Sequence, residues 1–268
     1  MKKILHMSDV HFDKIDSAMI AALLRITKRI HPTLIIISGD LTQRAKVAEF
    51  EAVAQFIHSL KKTKIPVFAI PGNHDIAPFY APVRRMINAY DRYNDAIVPL
   101  TVQRYADSEI AVLGINTVRR SRIKDGRISR SDIEKAKDWF GAHPRAHTRI
   151  VVTHHPLDLP SQYKKHKLVI GSKRAIYALA DAHVDVYLSG HHHRHTISTT
   201  AVRYTIPHHN AITVQAGTVS TRSRGEAQSF NLLVIKKNKI EITTYIWNSD
   251  QSDFVLQPMH AFIRDNTI

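Results

Sequence analysis

Five groups of polar residues follow short apolar runs along the chain, and each group contains side chains that can bind a metal or move a proton. In chain order they are Asp9 and His11, Gly39-Asp40, Gly72-Asn73-His74-Asp75, His154-His155-Pro156, and Gly190-His191-His192-His193. In an open α/β sheet the loops at the carboxyl ends of the strands meet in one crevice, so distant groups can converge. Any one such motif is more often an ordinary turn or a surface histidine. Five of them at successive strand ends favour a common site.

The number of donors indicates what this site would hold. Seven donors are too many for one tetrahedral ion and suit two ions that share a carboxylate; they are Asp9, His11, Asp40, Asn73, His154, His191 and His193. Two cations about 3.5 to 4 Å apart polarise a phosphoryl group and lower the pKa of a bridging water. The chain has no cysteine, and mixed imidazole, carboxylate and amide ligands suit Mn, Fe, Zn or Co better than Ca or Mg.

The elements that would position these groups alternate between β-branched apolar runs and segments of helical period, as in βα units around a buried sheet. The predicted strands are residues 4–7, 34–37, 67–70, 102–105, 110–115, 148–152, 186–189, 212–215, 230–235 and 240–247. The predicted helices are residues 17–29, 45–60, 83–90, 131–141 and 173–182. Ser131 and Glu134 have the spacing of a capping box. We expect the basic segments 118–129 and 157–172 to be loops over the site.

Composition sets the remaining bounds. The 268 residues, 44% of them hydrophobic, are enough for a buried core, and we predict a single domain over residues 1–268. The chain has 38 Lys and Arg against 23 Asp and Glu, a net charge of +15. This favours anionic partners such as phosphate esters, nucleic acid or acidic membrane surfaces, although a basic proteome would give the same balance. No apolar run is long enough for a membrane span or a signal segment, so we expect a cytoplasmic protein.

The five groups, in this order and spacing, resemble the signature of the calcineurin-like metallophosphoesterases. The resemblance implies an α/β fold, a four-layer α/β/β/α sandwich of two mixed sheets flanked by helices, with a dinuclear site at one edge. It assigns one metal to Asp9, His11, Asp40 and His193, and the other to Asp40, Asn73, His154 and His191. It also favours His154 over His155 as the ligand. The expected cofactors are two divalent or mixed-valence ions, Mn or Fe, with Zn or Co as alternatives.

The same resemblance gives the two residues after Asn73 candidate catalytic roles. His74 would lie beside the phosphate, where an imidazolium could protonate the leaving alkoxide or stabilise charge in the transition state. Asp75 could orient His74, or it could be a helix cap.

Gly72-Asn73-His74-Asp75, the His-His-Pro motif and the residues from Ala216 to Asn231 are similar to the class III cyclic nucleotide phosphodiesterase branch. This similarity implies hydrolysis of a cyclic nucleotide or related small phosphodiester by attack of a metal-bridging hydroxide. Candidate substrate-binding residues are Arg119, Arg122, Lys164, Lys165, Arg222 and Arg224. The last two could clamp a phosphate, or they could be a surface pair that bridges to Glu226.

Three alternatives stay open to different degrees. A UDP-diacylglucosamine pyrophosphatase of the lipid A pathway shares the metal site, but its proteobacterial form typically has arginine where this chain has His74, and the sequence shows no obvious hydrophobic cap for acyl chains. A DNA exonuclease would explain the net charge, but such enzymes usually carry extra capping and coiled-coil regions. A non-enzymatic scaffold would have lost ligands, whereas this chain keeps the whole set.

Overall fold

A computed structural model describes residues 1–160, 163 and 167–263. Its strands, in chain order, are β1 (Lys2–Met7), β2 (Leu34–Ile37), β3 (Val67–Ala69), β4 (Arg104–Ala106), β5 (Ile110–Ile115), β6 (Thr148–Thr153), β7 (Val186–Ser189), β8 (Thr196–Thr199), β9 (Ile212–Gln215), β10 (Ser229–Ile235), β11 (Lys239–Asn248), β12 (Asp253–Leu256) and β13 (His260–Ile263). The α-helices are α1 (Ser17–Ile30), α2 (Val47–Lys61), α3 (Pro82–Ile87), α4 (Asp91–Ala96), α5 (Arg130–Gly141) and α6 (Ser172–Ala180). Of the helices in these described ranges, none has the length and apolar character needed to cross a bilayer.

The strands form two mixed sheets. The first has seven strands in the order β12-β11-β10-β1-β2-β3, with β13 also paired to β11. In it β1, β2 and β3 run parallel, and β10 pairs antiparallel with β1. The second sheet has six strands in the order β4-β5-β6-β7-β9-β8, and β5, β6, β7 and β9 are parallel. The parallel strands of each sheet therefore end at a common edge.

The strands of the first sheet alternate between two apolar environments. Ile36 of β2 belongs to the core between the two sheets, together with Ile150 of β6. Its neighbour Ile35 belongs to a second core that includes Leu23 of α1, as the two-residue period of a strand requires. A third core lies between the second sheet and the helices α5 and α6, and it contains Phe140. Three cores between four layers confirm the expected α/β/β/α sandwich.

The start of α5 differs from the prediction. The capping box uses Ser129 and Asp132, two residues before the predicted Ser131 and Glu134: Asp132 N donates to Ser129 Oγ at 3.1 Å, and Ser129 N donates to the Asp132 carboxylate at 2.8 Å. Both pairs have the same spacing, so spacing alone could not separate them. The earlier pair gives the helix one more residue, Arg130.

The helix predicted over residues 83–90 is present but shorter at its end: α3 stops at Ile87, where Asn88 leaves the helical conformation, and the separate helix α4, which the sequence prediction missed, begins at Asp91. The guanidinium of Arg85 on α3 turns into the protein and donates to the carbonyl oxygens of Ala77, Arg120 and Arg122. The sequence prediction also missed three strands, β8, β12 and β13. All three are four residues long, and short strands at or near a sheet edge carry a weak alternating pattern.

Candidate active site

The five polar groups follow β1, β2, β3, β6 and β7, and they meet where these strands end. Backbone hydrogen bonds hold the loops together: Asp9 N donates to Gly39 O at 3.0 Å, and Gly190 N donates to His154 O at 3.0 Å. The first sheet supplies the loops after β1, β2 and β3, and the second sheet supplies those after β6 and β7. The structure thus brings together all seven predicted ligand residues from both sheets.

One cluster of donors consists of Asp9, His11, Asp40 and His193, whose ligand atoms all lie within 4.8 Å of one another. His193 Nε2 lies 3.1 Å from Asp9 Oδ1 and 3.3 Å from His11 Nε2. All four side chains are buried. Two carboxylates and two imidazoles at this spacing can enclose a single cation.

A second cluster lies next to the first. Asn73 Oδ1 is 3.2 Å from His154 Nε2 and 3.1 Å from His191 Nδ1, and these two nitrogens are 3.3 Å apart. Asp40 Oδ2 lies 3.4 Å from His154 Nε2 and 3.9 Å from His11 Nε2. One carboxylate oxygen therefore faces both clusters.

His155 also lies beside His154 and His191, but both of its ring nitrogens have other partners. Nε2 lies 2.8 Å from Lys124 O, to which it can only donate, and Nδ1 lies 2.8 Å from Thr117 Oγ1, from which it then accepts. Burial lowers the pKa of His155 to about 3, so the ring is neutral. These contacts favour His154 as the available donor.

Three of the candidate ligands are oriented through their other ring nitrogen. The Nδ1 atoms of His11, His154 and His193 lie 3.0, 2.9 and 2.6 Å from the carbonyl oxygens of Thr42, Ser38 and Arg222. An Nδ1–H that donates to a carbonyl leaves Nε2 with its lone pair directed into the site, as metal-bound histidines require.

One oxygen of the site has only an imidazole nitrogen beside it. Asp9 Oδ1 is buried, and its neighbour among the described residues is His193 Nε2 at 3.1 Å. When the His193 proton is on Nδ1, which donates to Arg222 O, Nε2 cannot donate to this oxygen. Leaving a buried carboxylate oxygen unsatisfied is costly, and a bound cation would remove that cost. The donor set and this oxygen together fit a site for metal ions.

The charges of the site are strongly coupled. Burial opposes ionisation of Asp40, but the imidazoles of His154, His74 and His11 outweigh it and hold the pKa of Asp40 well below its usual range. Burial likewise opposes a charge on His154, but Asp40 and Asp9 raise the pKa of His154 to about 9. An ionised carboxylate beside an imidazolium can bind a cation once the imidazolium has released its proton, so metal binding at such a site is coupled to proton release.

Five of the candidate ligands have a backbone conformation that side chains rarely adopt. The φ angles, all positive, are 53° at Asp9, 43° at His11, 52° at Asp40, 77° at His191 and 57° at His193. Non-glycine residues with positive φ are uncommon, and such strain concentrates at functional sites, where the surrounding structure holds it. The backbone is therefore strained where the ligands converge.

Two glycines allow the strand-end loops to approach each other. A Cβ at Gly72 would overlap the backbone and carboxylate of Asp40, and a Cβ at Gly190 would overlap Ser8 and the carboxylate of Asp9. In contrast, a Cβ at Gly141, at the end of α5, would meet no atom within 4 Å. The first two glycines are required by packing against the ligands.

We expect Gly190→Ala to destabilise the protein by about 1 to 3 kcal/mol, the usual cost of overpacking a close contact, and to lower metal affinity because Asp9 must shift. Gly141→Ala is the matched control; it should leave metal affinity unchanged and, because Gly141 ends a helix, keep stability the same or raise it by up to about 1 kcal/mol. Thermal unfolding and metal titration of the two variants check this. Equal unfolding temperatures for the two variants would contradict the close approach at Gly190.

His74 lies at the edge of the first cluster, with its ring centroid 5.1 Å from that of His11. Its Nδ1 lies 2.7 Å from Gln43 O, so Nδ1 carries the proton. Its Nε2 lies 3.1 Å from Arg222 Nη1, which also donates to Gln43 Oε1 at 3.2 Å. The structure thus places a half-buried imidazole and a guanidinium side by side at the metal-ligand cluster.

Asp75 does not take either of its expected roles. Its buried carboxylate accepts hydrogen bonds from the backbone N–H groups of Leu41, Thr42 and Gly72, at 3.1, 2.7 and 2.8 Å. Burial and the charge of Asp40 raise the pKa of Asp75 to about 6. The carboxylate joins the loop after β2 to the loop after β3, whereas the His74 ring is oriented by the Gln43 carbonyl.

The structure places the predicted substrate-binding residues in different parts of the protein. Arg222 reaches the site. Arg119 instead pairs with Asp132 at the start of α5, at 2.8 Å. Arg122 is half-buried in the loop that Arg85 holds, and Arg224 is exposed. Lys164 and Lys165 lie outside the described residues.

Glu226 was expected as the alternative partner of Arg222 and Arg224. It lies instead 3.6 Å from Arg194 and 3.4 Å from His195.

Two functional positions were missed by the sequence reasoning. Gln43 contacts His74 through its backbone carbonyl and Arg222 through its side chain. The sequence feature that could have indicated it is its position three residues after Asp40, in the same loop. Thr117 engages the His155 ring, and it follows β5 as the ligand groups follow their strands. Neither residue type binds a metal strongly, so neither was selected.

Comparisons with known proteins agree with this geometry. The chain is 24% identical over 204 residues to the 3',5'-cyclic adenosine monophosphate phosphodiesterase CpdA of Haemophilus influenzae, over 72% of this chain and 70% of that protein. Its fold is similar to the purple acid phosphatase PPD1 of yellow lupin, with a TM-score of 0.70, 13% identity and coverage of 99% of this chain. The chain spans 54% of that phosphatase.

A second solved structure, a dimetal phosphatase from Danio rerio, has a TM-score of 0.62 at 10% identity, over 95% of this chain and 98% of that one. At such low identity the two structural similarities concern the fold alone. The model of the family described as calcineurin-like phosphoesterase matches residues 2–195, from β1 through the last histidine group. The chain therefore belongs to the calcineurin-like phosphoesterase family of metal-dependent phosphoric ester hydrolases.

Proposed function

We propose that the protein hydrolyses a small phosphodiester, a cyclic nucleotide or a related compound, at a binuclear metal centre. The observation that carries this proposal is the position of Asp40 Oδ2, which faces both donor clusters at 3.4 and 3.9 Å. The first metal would be held by Asp9, His11, Asp40 and His193, and the second by Asp40, Asn73, His154 and His191. Two such ions, of which Mn and Fe best suit the ligands, would polarise the phosphoryl group and activate a water.

The remaining steps belong to the side chains at the edge of the site. Arg222 can turn from its contact with His74 Nε2 to a phosphate oxygen, where a guanidinium makes strong charge-assisted hydrogen bonds. His74 Nε2 then faces the substrate, and in the imidazolium form it can donate its proton to the leaving oxygen. The Gln43 carbonyl keeps the ring in this orientation by accepting from Nδ1.

The preference for a diester is supported by the modest positive charge beside the two clusters. Within the described residues, the guanidinium of Arg222 contacts the ring of His74 at the edge of the first cluster, and a single guanidinium there matches the single negative charge of a diester. The relative from Haemophilus influenzae carries the name of a cyclic AMP phosphodiesterase, which supports the same substrate class.

A substrate panel in the presence of Mn tests this function. It compares bis(p-nitrophenyl) phosphate, p-nitrophenyl phosphate, 2',3'- and 3',5'-cyclic nucleotides, a UDP-sugar diphosphate and single-stranded DNA. We expect the diester and one cyclic nucleotide class to have the highest kcat/KM. Faster turnover of the monoester, the pyrophosphate or DNA would refute the small-diester assignment and leave the family assignment intact.

We expect Arg222→Gln to lower kcat/KM for diesters by about 10 to 100-fold, which corresponds to the loss of one or two hydrogen bonds to a charged group. Most of this loss should appear as a higher KM. The backbone carbonyl that holds His193 is unchanged in this variant. Arg224→Gln, an exposed arginine two residues away, is the control and should behave as the wild type. If the two variants had equal kinetics, Arg222 would not bind substrate.

A further inference from the structure

The short helix α3 exposes apolar side chains and buries a charged one. Val83, Met86 and Ile87 share one face, since residues three and four apart are neighbours on a helix, and they are 71, 68 and 69% exposed. Arg85 is only 4% exposed on the same helix and donates three hydrogen bonds to backbone carbonyls. The helix therefore presents apolar side chains to solvent and buries one of its two arginines.

Neighbouring residues enlarge this exposed surface. Phe79 and Tyr80, just before α3, are 43 and 74% exposed, and Ile123 is 61% exposed. Ile123 directly follows Arg122, whose carbonyl Arg85 holds, so the loop of Ile123 lies alongside α3. We name the surface formed by these six side chains the apolar face; its members are Phe79, Tyr80, Val83, Met86, Ile87 and Ile123. Clustered exposed apolar side chains of this kind mark interaction sites.

Positive charge surrounds the apolar face. Segments 77–92 and 118–125 contain seven arginine and lysine residues and two aspartates; of the seven, Arg85 is buried and Arg119 is paired with Asp132, which leaves five basic residues. The guanidinium groups of Arg84 and Arg92 both donate to Ala45 O, at 3.4 and 2.8 Å, and Arg120 donates to Met86 O at 2.8 Å. A carbonyl carries no net charge, so these contacts hold the three guanidinium groups in place without neutralising them.

Charge decides between the possible occupants. Two copies of a chain with a net charge of +15 would repel each other if these basic surfaces were brought together. A bilayer that contains anionic lipids attracts them, at about 1 kcal/mol for each lysine or arginine near the surface. Exposed aromatic and aliphatic side chains within a basic rim are also typical of proteins that lie at a membrane interface.

We propose that the apolar face docks the protein onto the surface of an anionic phospholipid bilayer. Phe79, Tyr80, Val83, Met86, Ile87 and Ile123 enter the interface, and Arg84, Arg92, Arg120 and Lys124 contact the headgroup phosphates. The segment begins a few residues after Asp75, so the docked protein holds its candidate active site near the bilayer.

Vesicle flotation tests the docking. The purified protein is mixed with phosphatidylcholine vesicles that contain or lack phosphatidylglycerol, at low and at high salt. We expect it to float with the anionic vesicles and to stay in solution with the neutral ones, and high salt should weaken the binding because it screens the basic rim. Equal binding to both vesicles, or to neither, would overturn the proposal.

Two pairs of variants localise the contact. Met86→Ser with Ile87→Ser should reduce partitioning about tenfold or more, since each side chain loses its burial in the interface. Leu256→Ser with Met259→Ser is the control, because these residues are 61 and 54% exposed far along the chain.

Arg120→Gln with Lys124→Gln should reduce partitioning about tenfold or more and make it less sensitive to salt. Lys28→Gln with Lys237→Gln removes the same charge from other exposed positions.

The apolar variants should keep wild-type turnover of a soluble diester, which shows that the fold is intact. Equal losses in the test and control pairs would mean that net charge or general hydrophobicity, rather than the apolar face, determines binding. Sedimentation velocity tests whether a second copy of the chain covers the apolar face instead. If the wild type were a dimer and Met86→Ser with Ile87→Ser converted it to a monomer, the face would be a dimer interface and membrane docking would be overturned.

Discussion

An Asp40→Ala variant is expected to lose both metal ions and at least about 10³ of kcat/KM, since bound metals contribute several kcal/mol of transition-state stabilisation. The reason is geometric, because the same carboxylate oxygen faces His154 Nε2 and His11 Nε2. Removing the Asp40 carboxylate takes a negative charge from both clusters and leaves the imidazoles of His154 and His11 without the carboxylate that faces them both. Elemental analysis and turnover of bis(p-nitrophenyl) phosphate measure the two losses.

His193→Ala provides the contrast for Asp40. His193 Nε2 contacts Asp9 and His11 in the first cluster only, so this variant should lose chiefly one ion and keep the other. Circular dichroism establishes that both variants are folded. An Asp40→Ala protein that retained two metal equivalents would show that the two clusters do not share this carboxylate.

The second large effect is expected for His74→Ala, which should retain both metals and lose about 10² to 10⁴ in kcat, the usual contribution of a general acid. His74 contacts Gln43 and Arg222 rather than the ligand atoms, so the metal content should not change. Steady-state kinetics with metal analysis of the same sample checks both statements.

The leaving group separates two roles for His74. A nitrophenolate leaves without protonation, so a general acid matters less for bis(p-nitrophenyl) phosphate than for a cyclic nucleotide, whose leaving group is an alkoxide. We expect the loss to be smaller for the activated ester. An equal loss for both substrates would reassign His74 to substrate binding or charge stabilisation.

The metal-binding geometry was predictable because its signals are local. Asp9, Asp40 and His154 each follow a short apolar run, and the parallel order of such strands requires their ends to share an edge. The alternation within Leu34–Ile37, with successive residues in different cores, follows from the strand period. Residue types and strand order were therefore sufficient to bring the ligands together.

The contacts around the ligands were not predictable in the same way, because they depend on backbone groups. Asp75 binds three backbone N–H groups, and the ring of His74 is oriented by a backbone carbonyl. Every residue carries such groups, so the sequence cannot mark which ones will be used. The burial of Arg85 was unpredictable for the same reason, since its guanidinium donates to carbonyls of a loop more than 30 residues away.

The distribution of the ligands over two sheets has a consequence for how the protein matures. Asp9 and His191 are 182 residues apart in the chain and touch only in the folded state, where His191 N donates to Asp9 Oδ2. Closing so long a loop is entropically costly, and it is achieved only when both sheets have formed and packed. Metal ions bound across this junction would select the native state and raise its stability with the logarithm of their free concentration. Metal loading across this junction would therefore follow the formation and packing of both sheets.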